Sequence, residues 1–223
     1  PLSITPSKLS GKTHSISILD TYIKSPLLIA GLYADGETTV IEAAKSRDHS
    51  ELMLNYFGAD IRVNGLEVTS HRVENLFAQQ IQIPGDISIA AYFLTAGLIV
   101  PNSDIVIKDV GINPTRAGIL EVYKSMGANI ELLNQRTVNN ERIADIRVVS
   151  SSLKGTTIEG DIIPRLIDEI PIITVAAAMA EGTTTIKSLK GFKTKESGKL
   201  KKMLTELAKL GANVEETDDG AII

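Results

Sequence analysis

A short pattern that recurs three times constrains the fold more than any other feature of the sequence. Gly-Ala, then Asn or Asp, then an aliphatic β-branched residue begins at Gly58, Gly127 and Gly211. Before each copy the sequence predicts the same order of elements: an apolar helix, a β-branched strand and a second helix that runs into the glycine. The predicted first helices cover 24–33, 88–100 and 170–180, the strands cover 36–41, 103–107 and 182–186, and the second helices cover 49–57, 115–126 and 197–210. The pattern therefore predicts three copies of one folding unit.

The last predicted helix indicates why a glycine ends each copy. Its apolar residues lie at three- and four-residue spacing and form one stripe: Leu200, Met203, Leu204, Leu207 and Leu210. Gly211 follows directly, and glycine readily adopts the left-handed conformation that ends a helix. A short strand over 213–216 then returns to a sheet. Each unit is therefore expected to be β-α-β-α-β-β, with two helices packed on one face of a four-stranded sheet, which makes the fold class α+β.

Composition excludes several classes of function. The formal net charge is −4 with both signs interspersed, which argues against a nucleic-acid partner. The sequence has no Cys and three scattered His, so neither a disulfide nor a metal site is expected. No apolar run reaches the roughly 18 residues of a membrane helix, and the first residues do not resemble a signal peptide, so we expect a soluble, cytoplasmic protein without a membrane partner. Because the chain does not begin with Met, we expect it to be processed, tagged or excised from a longer protein.

Two acids and a lysine are candidates for proton transfer. The segment 165–171, Arg-Leu-Ile-Asp-Glu-Ile-Pro, carries Asp168, and Lys195 and Glu196 follow after one predicted helix and one strand. Carboxylates that face an ammonium in a cleft suit proton transfer beside an anionic substrate. The alternative is that the acids only complement a helix dipole and that the lysines form a solvated surface. The residues alone leave both interpretations open.

Five strings, in order and at matching spacing, resemble the bacterial 3-phosphoshikimate 1-carboxyvinyltransferase (EPSP synthase) family. They are Ser-Arg-Asp-His at 46–49, Ile-Pro-Gly-Asp-Ile-Ser at 83–88, Val-Gly-Ile-Asn-Pro-Thr-Arg at 110–116, the segment 165–171 and Thr-Lys-Glu-Ser at 194–197. The resemblance implies transfer of the enolpyruvyl group from phosphoenolpyruvate to the 5-hydroxyl of shikimate 3-phosphate, in aromatic amino-acid biosynthesis. It implies these two small molecules as partners and no metal or organic cofactor.

The resemblance also implies a domain organisation. The family is built from six such units in two domains of three, with the substrate between the domains. By that pattern, residues 1–80 are the last unit of the first domain and residues 81–223 are two units of the second. The remaining segments of the same enzyme would then be a further partner. We expect a truncated or divergent form with weak or no activity alone.

By the same resemblance, three residues act on protons. Asp168 matches the aspartate that binds the shikimate hydroxyls and serves as an acid–base group, whereas Glu169 is expected to be structural. Lys195 matches the lysine that contacts the substrate and helps to protonate the methylene carbon of the donor. Glu196 matches the general acid–base glutamate.

Ser46, Arg47 and Lys199 are the remaining candidates for substrate binding. Ser46 and Arg47 match the loop that holds the 3-phosphate, and a Ser and an Arg at a helix start suit phosphate on physical grounds. The alternative is that Ser46 or Asp48 caps the helix. Lys199 stands where the family has an arginine that binds the donor's carboxylate, so it keeps the charge but loses the bidentate geometry.

Other positions depart from the family or are expected to be structural. Asp20 stands at a usual Ser and would set a carboxylate against a phosphate. Tyr22 replaces a usual Gln and is expected to pack, and Gly198 replaces an Asp. Asp86 or Ser88 is expected to cap one helix and the segment 113–116 another, neither as a catalytic group.

Two alternative functions stay open. The related transferase that acts on UDP-N-acetylglucosamine shares the repeat, but it usually has a loop cysteine and lacks Ser-Arg-Asp-His, so the absence of Cys counts against it. A non-catalytic fragment that folds as repeat units and self-associates is the alternative from a different class.

Overall fold

We describe a computed structural model that covers residues 2–18, 20–189 and 196–223, without the side chains of residues 196 and 197. The chain divides into two compact parts, an N-terminal part (Pro1–Gln82) and a C-terminal part (Ile83–Ile223). The assignment of 1–80 and 81–223 to two domains of a larger protein stays a prediction.

The N-terminal part contains the first repeat unit in the predicted order. Its elements are β1 (Thr13–Ile16), α1 (Lys24–Gly31), β2 (Thr38–Glu42), α2 (His49–Tyr56), β3 (Ile61–Asn64) and β4 (Glu67–Ser70). The strand order is β1-β2-β4-β3, with β1 parallel to β2 and the other pairs antiparallel. Leu28, Leu32, Val40 and Val68 form the buried centre of its core.

The second unit, in the C-terminal part, departs from the predicted four-stranded sheet. It contains α3 (Ile87–Ile99), β5 (Asp104–Gly111), α4 (Gly118–Ser125), β6 (Asn129–Val138) and β7 (Glu141–Val149), in the strand order β5-β7-β6. The expected leading strand is reduced to one parallel bridge between Gly85 and Val110. Pro84 supplies a physical reason, because proline has no N–H to donate to a ladder.

The third unit repeats the topology of the first. Its elements are β8 (Thr157–Ile158), α5 (Ile170–Ala178), β9 (Thr185–Ile186), α6 (Glu196–Lys209), β10 (Glu215–Thr217) and β11 (Gly220–Ile222). The strand order is β8-β9-β11-β10, again with the first pair parallel. One hydrophobic core spans the second and third units and includes Leu94, Ile146 and Ile173. The predicted α+β fold class is confirmed.

The three glycines of the repeat occupy equivalent positions, as predicted. Gly58, Gly127 and Gly211 follow α2, α4 and α6 with φ angles of 93°, 80° and 96°. In each copy the glycine N–H donates to the carbonyl three residues earlier, and the next alanine N–H donates to the carbonyl five residues earlier, with all N···O distances between 2.9 and 3.0 Å. This pair of bonds is the Schellman cap, which satisfies the last carbonyls of a helix.

Among the residues that the structure covers, no helix is long and apolar enough to cross a membrane.

Candidate active site

Asp168 and Glu169 are neighbours in sequence but lie in opposite environments. Both belong to a short 3-10 turn, Ile167–Glu169, that leads directly into α5. Glu169 is 1% exposed and accepts a hydrogen bond from the Ser88 hydroxyl. The Asp168 side chain is 38% exposed. The expectation that Asp168 lies at a helix N-terminus is confirmed, and its carboxylate is accessible where that of Glu169 is not.

Arg116 connects Asp168 to the start of α3. Its Nη1 lies 3.2 Å from Asp168 Oδ2, and its Nη2 lies 3.3 Å from Asp86 Oδ1 and 2.7 Å from Ser88 Oγ. Ser88 thus accepts from Arg116 and donates to Glu169. We call these five residues the Arg116 cluster. It joins three segments of the C-terminal part around one guanidinium whose side chain is 17% exposed.

The charges in the Arg116 cluster stabilise one another. Burial alone would lower the pKa of Arg116, but its hydrogen bond to Asp168 and the nearby charges of Asp86 and Glu169 outweigh burial and raise that pKa. Burial would raise the pKa of Asp86, but the hydrogen bond from the Ser88 N–H and the charge of Arg116 lower it overall. Arg116 is therefore a permanent cation that favours ionised carboxylates around it.

Arg165 fixes the segment that carries Asp168 from its other end. Its Nε donates to the carbonyl of Pro114 at 2.7 Å, and its Nη1 lies 3.2 Å from Glu121 Oε2. Pro114 lies in the connection to α4, and Glu121 lies in α4 itself. Arg165 and Glu169 therefore anchor the two sides of Asp168.

The predicted caps are partly right. Asp86 caps α3, because its Oδ1 accepts from the Ser88 N–H at 2.7 Å. The segment 113–116 does not cap α4 as expected, since the helix begins at Gly118 and its N-cap, Ala117, has no side-chain acceptor. Instead, Asn113 Oδ1 accepts from the Thr115 N–H at 2.9 Å and shapes the loop that presents Arg116.

In the N-terminal part, Ser46 and Arg47 lie in the loop between β2 and α2. Ser46 is buried, and its hydroxyl donates to Glu42 Oε1, which also accepts from the Ser46 N–H at 3.2 Å. Arg47 is exposed. Asp48 occupies the N-cap position of α2, but its side chain makes no cap hydrogen bond. Ser46 is therefore held from within the fold, whereas Arg47 faces solvent.

Other predicted positions have mixed outcomes. Lys195 lies outside the described residues, and the Glu196 side chain is likewise not described, so their proximity to Asp168 stays a prediction. Lys199 is exposed on α6. Tyr22 was expected to pack, but it is 74% exposed, so that expectation is wrong. Asp20 accepts from the Ser17 hydroxyl at 2.6 Å.

Sequence reasoning missed Arg116 as a site residue. Arg116 belongs to the segment Asn-Pro-Thr-Arg at 113–116, which was interpreted as a helix cap. Asp86 and Asp168, which Arg116 contacts, lie 30 and 52 residues away in the sequence, so no local pattern links the three. Among the described residues there is no group of three or more His, Cys, Asp or Glu that could hold a metal ion.

Comparisons with known proteins agree on one family. A family model described as EPSP synthase (3-phosphoshikimate 1-carboxyvinyltransferase) matches residues 1–223. The 3-phosphoshikimate 1-carboxyvinyltransferase of Thermoanaerobacter sp. (strain X514) is 49% identical over the whole of this chain, which covers 53% of that protein. One from Geobacillus kaustophilus is 48% identical, with 52% of it covered. The chain spans about half the length of these relatives.

Solved structures give the same result. An EPSP synthase from Acinetobacter baumannii matches with a TM-score of 0.90 and 39% identity over 97% of this chain and 49% of that one. The enolpyruvyl transferase NikO from Streptomyces tendae matches with a TM-score of 0.69 at 19% identity over 98% of this chain and 51% of that one, a likeness of fold alone.

Proposed function

This chain belongs to the EPSP synthase family, and we propose that it supplies part of an enzyme that transfers the enolpyruvyl group of phosphoenolpyruvate to the 5-hydroxyl of shikimate 3-phosphate. One observation carries the proposal beyond the family match. The accessible carboxylate of Asp168, at the position of the family's acid–base aspartate, is held by Arg116 beside the buried Glu169.

The reaction needs groups that move protons at two places. The 5-hydroxyl loses its proton as its oxygen bonds to the central carbon of phosphoenolpyruvate, whose methylene carbon is protonated to a methyl group. Inorganic phosphate then leaves while the methyl group loses a proton, which restores the methylene of the enolpyruvyl product. A half-exposed carboxylate suits the hydroxyl, since it can accept hydrogen bonds from it and take its proton. We assign this task to Asp168. We assign protonation of the methylene carbon to Lys195, with Glu196 as the second acid–base group.

The anionic groups of both substrates need cations. We assign the 3-phosphate to the loop of Ser46 and Arg47, where the exposed guanidinium can form charge-assisted hydrogen bonds. Lys199 is assigned to the donor's carboxylate, more weakly than an arginine would bind it. Asp20 opposes phosphate binding. For the 223-residue polypeptide by itself we therefore propose weak or no turnover.

A melting experiment tests the proposal. Shikimate 3-phosphate at 100 times its dissociation constant should stabilise the chain by about 2.7 kcal/mol, which raises the melting temperature. Shikimate, which lacks the phosphate, should stabilise it less at equal concentration. Asp168→Asn should reduce the response, whereas Asp104→Asn, a change at an exposed acid paired with Arg147, should not. Equal responses to the two ligands, or none, would contradict the proposal.

A further inference from the structure

Lys24 is a buried cation that the reaction does not use directly. It is the first residue of α1 and is 1% exposed. Its Nζ lies 2.7 Å from Glu51 Oε1 and 3.3 Å from Glu42 Oε1, and it donates to the carbonyl oxygen of Arg47 at 2.6 Å. Lys24 thus contacts β2, α2 and the loop between them, all within the N-terminal part.

Together Lys24 and Glu42 hold both residues of the candidate phosphate loop. Lys24 fixes the Arg47 carbonyl, and Glu42 accepts from the N–H and the hydroxyl of Ser46. Glu42 is in turn paired with Lys24. The described hydrogen bonds that hold the Ser46 N–H and the Arg47 carbonyl therefore both involve this ammonium–carboxylate pair.

Stability alone does not explain this arrangement. Glu42 and Glu51 are 2% exposed, and Glu42 Oε2 has no hydrogen-bond partner among the described residues. Taking ionic groups out of water costs several kcal/mol each, and well-packed apolar residues of the same volume commonly stabilise a fold at least as well. What apolar residues cannot do is hold a carbonyl and a hydroxyl in fixed directions.

We infer that Lys24 is a positioning residue, which fixes the Ser46–Arg47 loop so that it can receive the phosphate monoester of the substrate. The inference rests on the proposed function for the identity of the ligand. Lys24 binds the carbonyl of Arg47, so the backbone is fixed while the residue itself is exposed at the surface, where an anion can approach it. Preorganisation of this kind lowers the entropic cost of binding.

A double variant removes the Lys24 ammonium without changing the formal charge of its cluster. Lys24→Met/Glu51→Gln removes one formal charge of each sign, so the formal charge of the cluster is unchanged, and Glu42 and Ser46 remain. Arg62→Met is the matched control, because it removes an exposed cation paired with Asp60 in the same part of the chain. Should the double variant fail to fold, Lys24→Gln/Glu51→Gln makes the same comparison with a shorter polar side chain at position 24.

The rate of amide hydrogen exchange measures how readily the Ser46–Arg47 loop opens, and it needs no ligand. The Ser46 N–H donates to Glu42, and the Thr39 N–H donates to the Lys12 carbonyl at 3.0 Å as a reference in β2. In the double variant the Ser46 amide should exchange about tenfold faster or more relative to Thr39, because local opening becomes easier. An unchanged ratio of the two rates would overturn the inference.

Titration with shikimate 3-phosphate, with inorganic phosphate as the comparison ligand, supplies the second readout. The double variant should bind shikimate 3-phosphate about tenfold more weakly, and Arg62→Met should bind like the unaltered chain. Equal affinity of the double variant and the unaltered chain would overturn the positioning role. If the unaltered chain binds no shikimate 3-phosphate, the proposed function fails, and the exchange rates still decide the role of Lys24 in the loop.

Discussion

The Nη1 atom of Arg116 lies 3.2 Å from the Oδ2 atom of Asp168, although 52 residues separate the two in the sequence. The same guanidinium contacts Asp86 and Ser88 at the start of α3. One side chain therefore fixes the direction of the candidate acid–base group and ties it to another repeat unit. The position of the Asp168 carboxylate therefore depends on Arg116 as well as on the turn that leads into α5.

Removal of Arg116 should destabilise the chain and weaken ligand binding together. Arg116→Met leaves Asp86, Asp168 and Glu169 without their shared cation, and the loss of a hydrogen bond to a charged group costs about 1.5–3 kcal/mol. Urea unfolding measures the stability, and titration with shikimate 3-phosphate measures the binding. Arg116→Lys should recover part of the stability but little of the binding, because lysine cannot contact Asp168 and Ser88 in one plane.

Arg147→Met is the control for Arg116→Met. Arg147 is bonded to Asp104 through two nitrogens, at 2.9 and 2.7 Å, but the two side chains are 42% and 49% exposed, against 17% for Arg116. Its removal should change the free energy of unfolding less than that of Arg116 and leave ligand binding unaltered. Equal losses for the two arginines would show that the Arg116 cluster has no special role.

A comparison of two glycines, Gly198 in α6 and Gly211 after it, tests whether the backbone conformation at Gly211 requires glycine. A Cβ added at Gly211 or at Gly198 meets nothing within 4 Å, but only Gly211 has a positive φ, of 96°. Gly211→Ala should therefore lower the free energy of unfolding by about 1–2 kcal/mol, whereas Gly198→Ala, in the helix, should raise it by up to about 1 kcal/mol. Thermal or urea unfolding of the two variants is sufficient. A loss at Gly198 as large as that at Gly211 would contradict the capping role.

The pKa of Asp86 predicts how its contribution to stability depends on pH. The folded-state pKa is lowered from 3.8, so the stability that the charge contributes is present above about pH 4 and is lost as the pH falls through the folded-state pKa. Asp86→Asn keeps a cap acceptor but does not titrate. The difference in unfolding free energy between the unaltered chain and this variant should shrink between pH 7 and pH 3. A difference independent of pH would mean that the charge of Asp86 does not contribute.

Asp20 provides a test in which affinity should rise. Asp20→Ser removes a carboxylate that we expect near the 3-phosphate, so shikimate 3-phosphate should bind several-fold more tightly by calorimetry. Asp20 also accepts from Ser17, and Ser17→Ala controls for the loss of that hydrogen bond. If Asp20→Ser binds no better than Ser17→Ala, the carboxylate does not face the phosphate.

The repeat and its caps could be predicted because they depend on residues close together in the sequence. Gly58, Gly127 and Gly211 each end a helix through bonds to residues within five positions. The missing leading strand of the second unit was overlooked, although Pro84 marks it. The residues around Pro84 do not by themselves show whether a full strand forms there. That depends on the neighbouring strand β5, to which only Gly85 is bridged.

The site could be predicted less well, because its contacts are long-range. Asp168 was identified by its string, but its partner Arg116 was interpreted as part of a helix cap. In the sequence, Lys24 is only the first residue of the predicted helix over 24–33. Its burial between Glu42 and Glu51 depends on how α1, β2 and α2 pack, which no periodicity in the sequence encodes.

An NMR titration of the 223-residue chain with shikimate 3-phosphate tests the central claim most directly. The account predicts that the amide resonances of Ser46 and Arg47 shift saturably, while those of Asp104 and Arg147 stay in place. Shifts that leave the Ser46–Arg47 loop unaffected would contradict its assignment to the 3-phosphate.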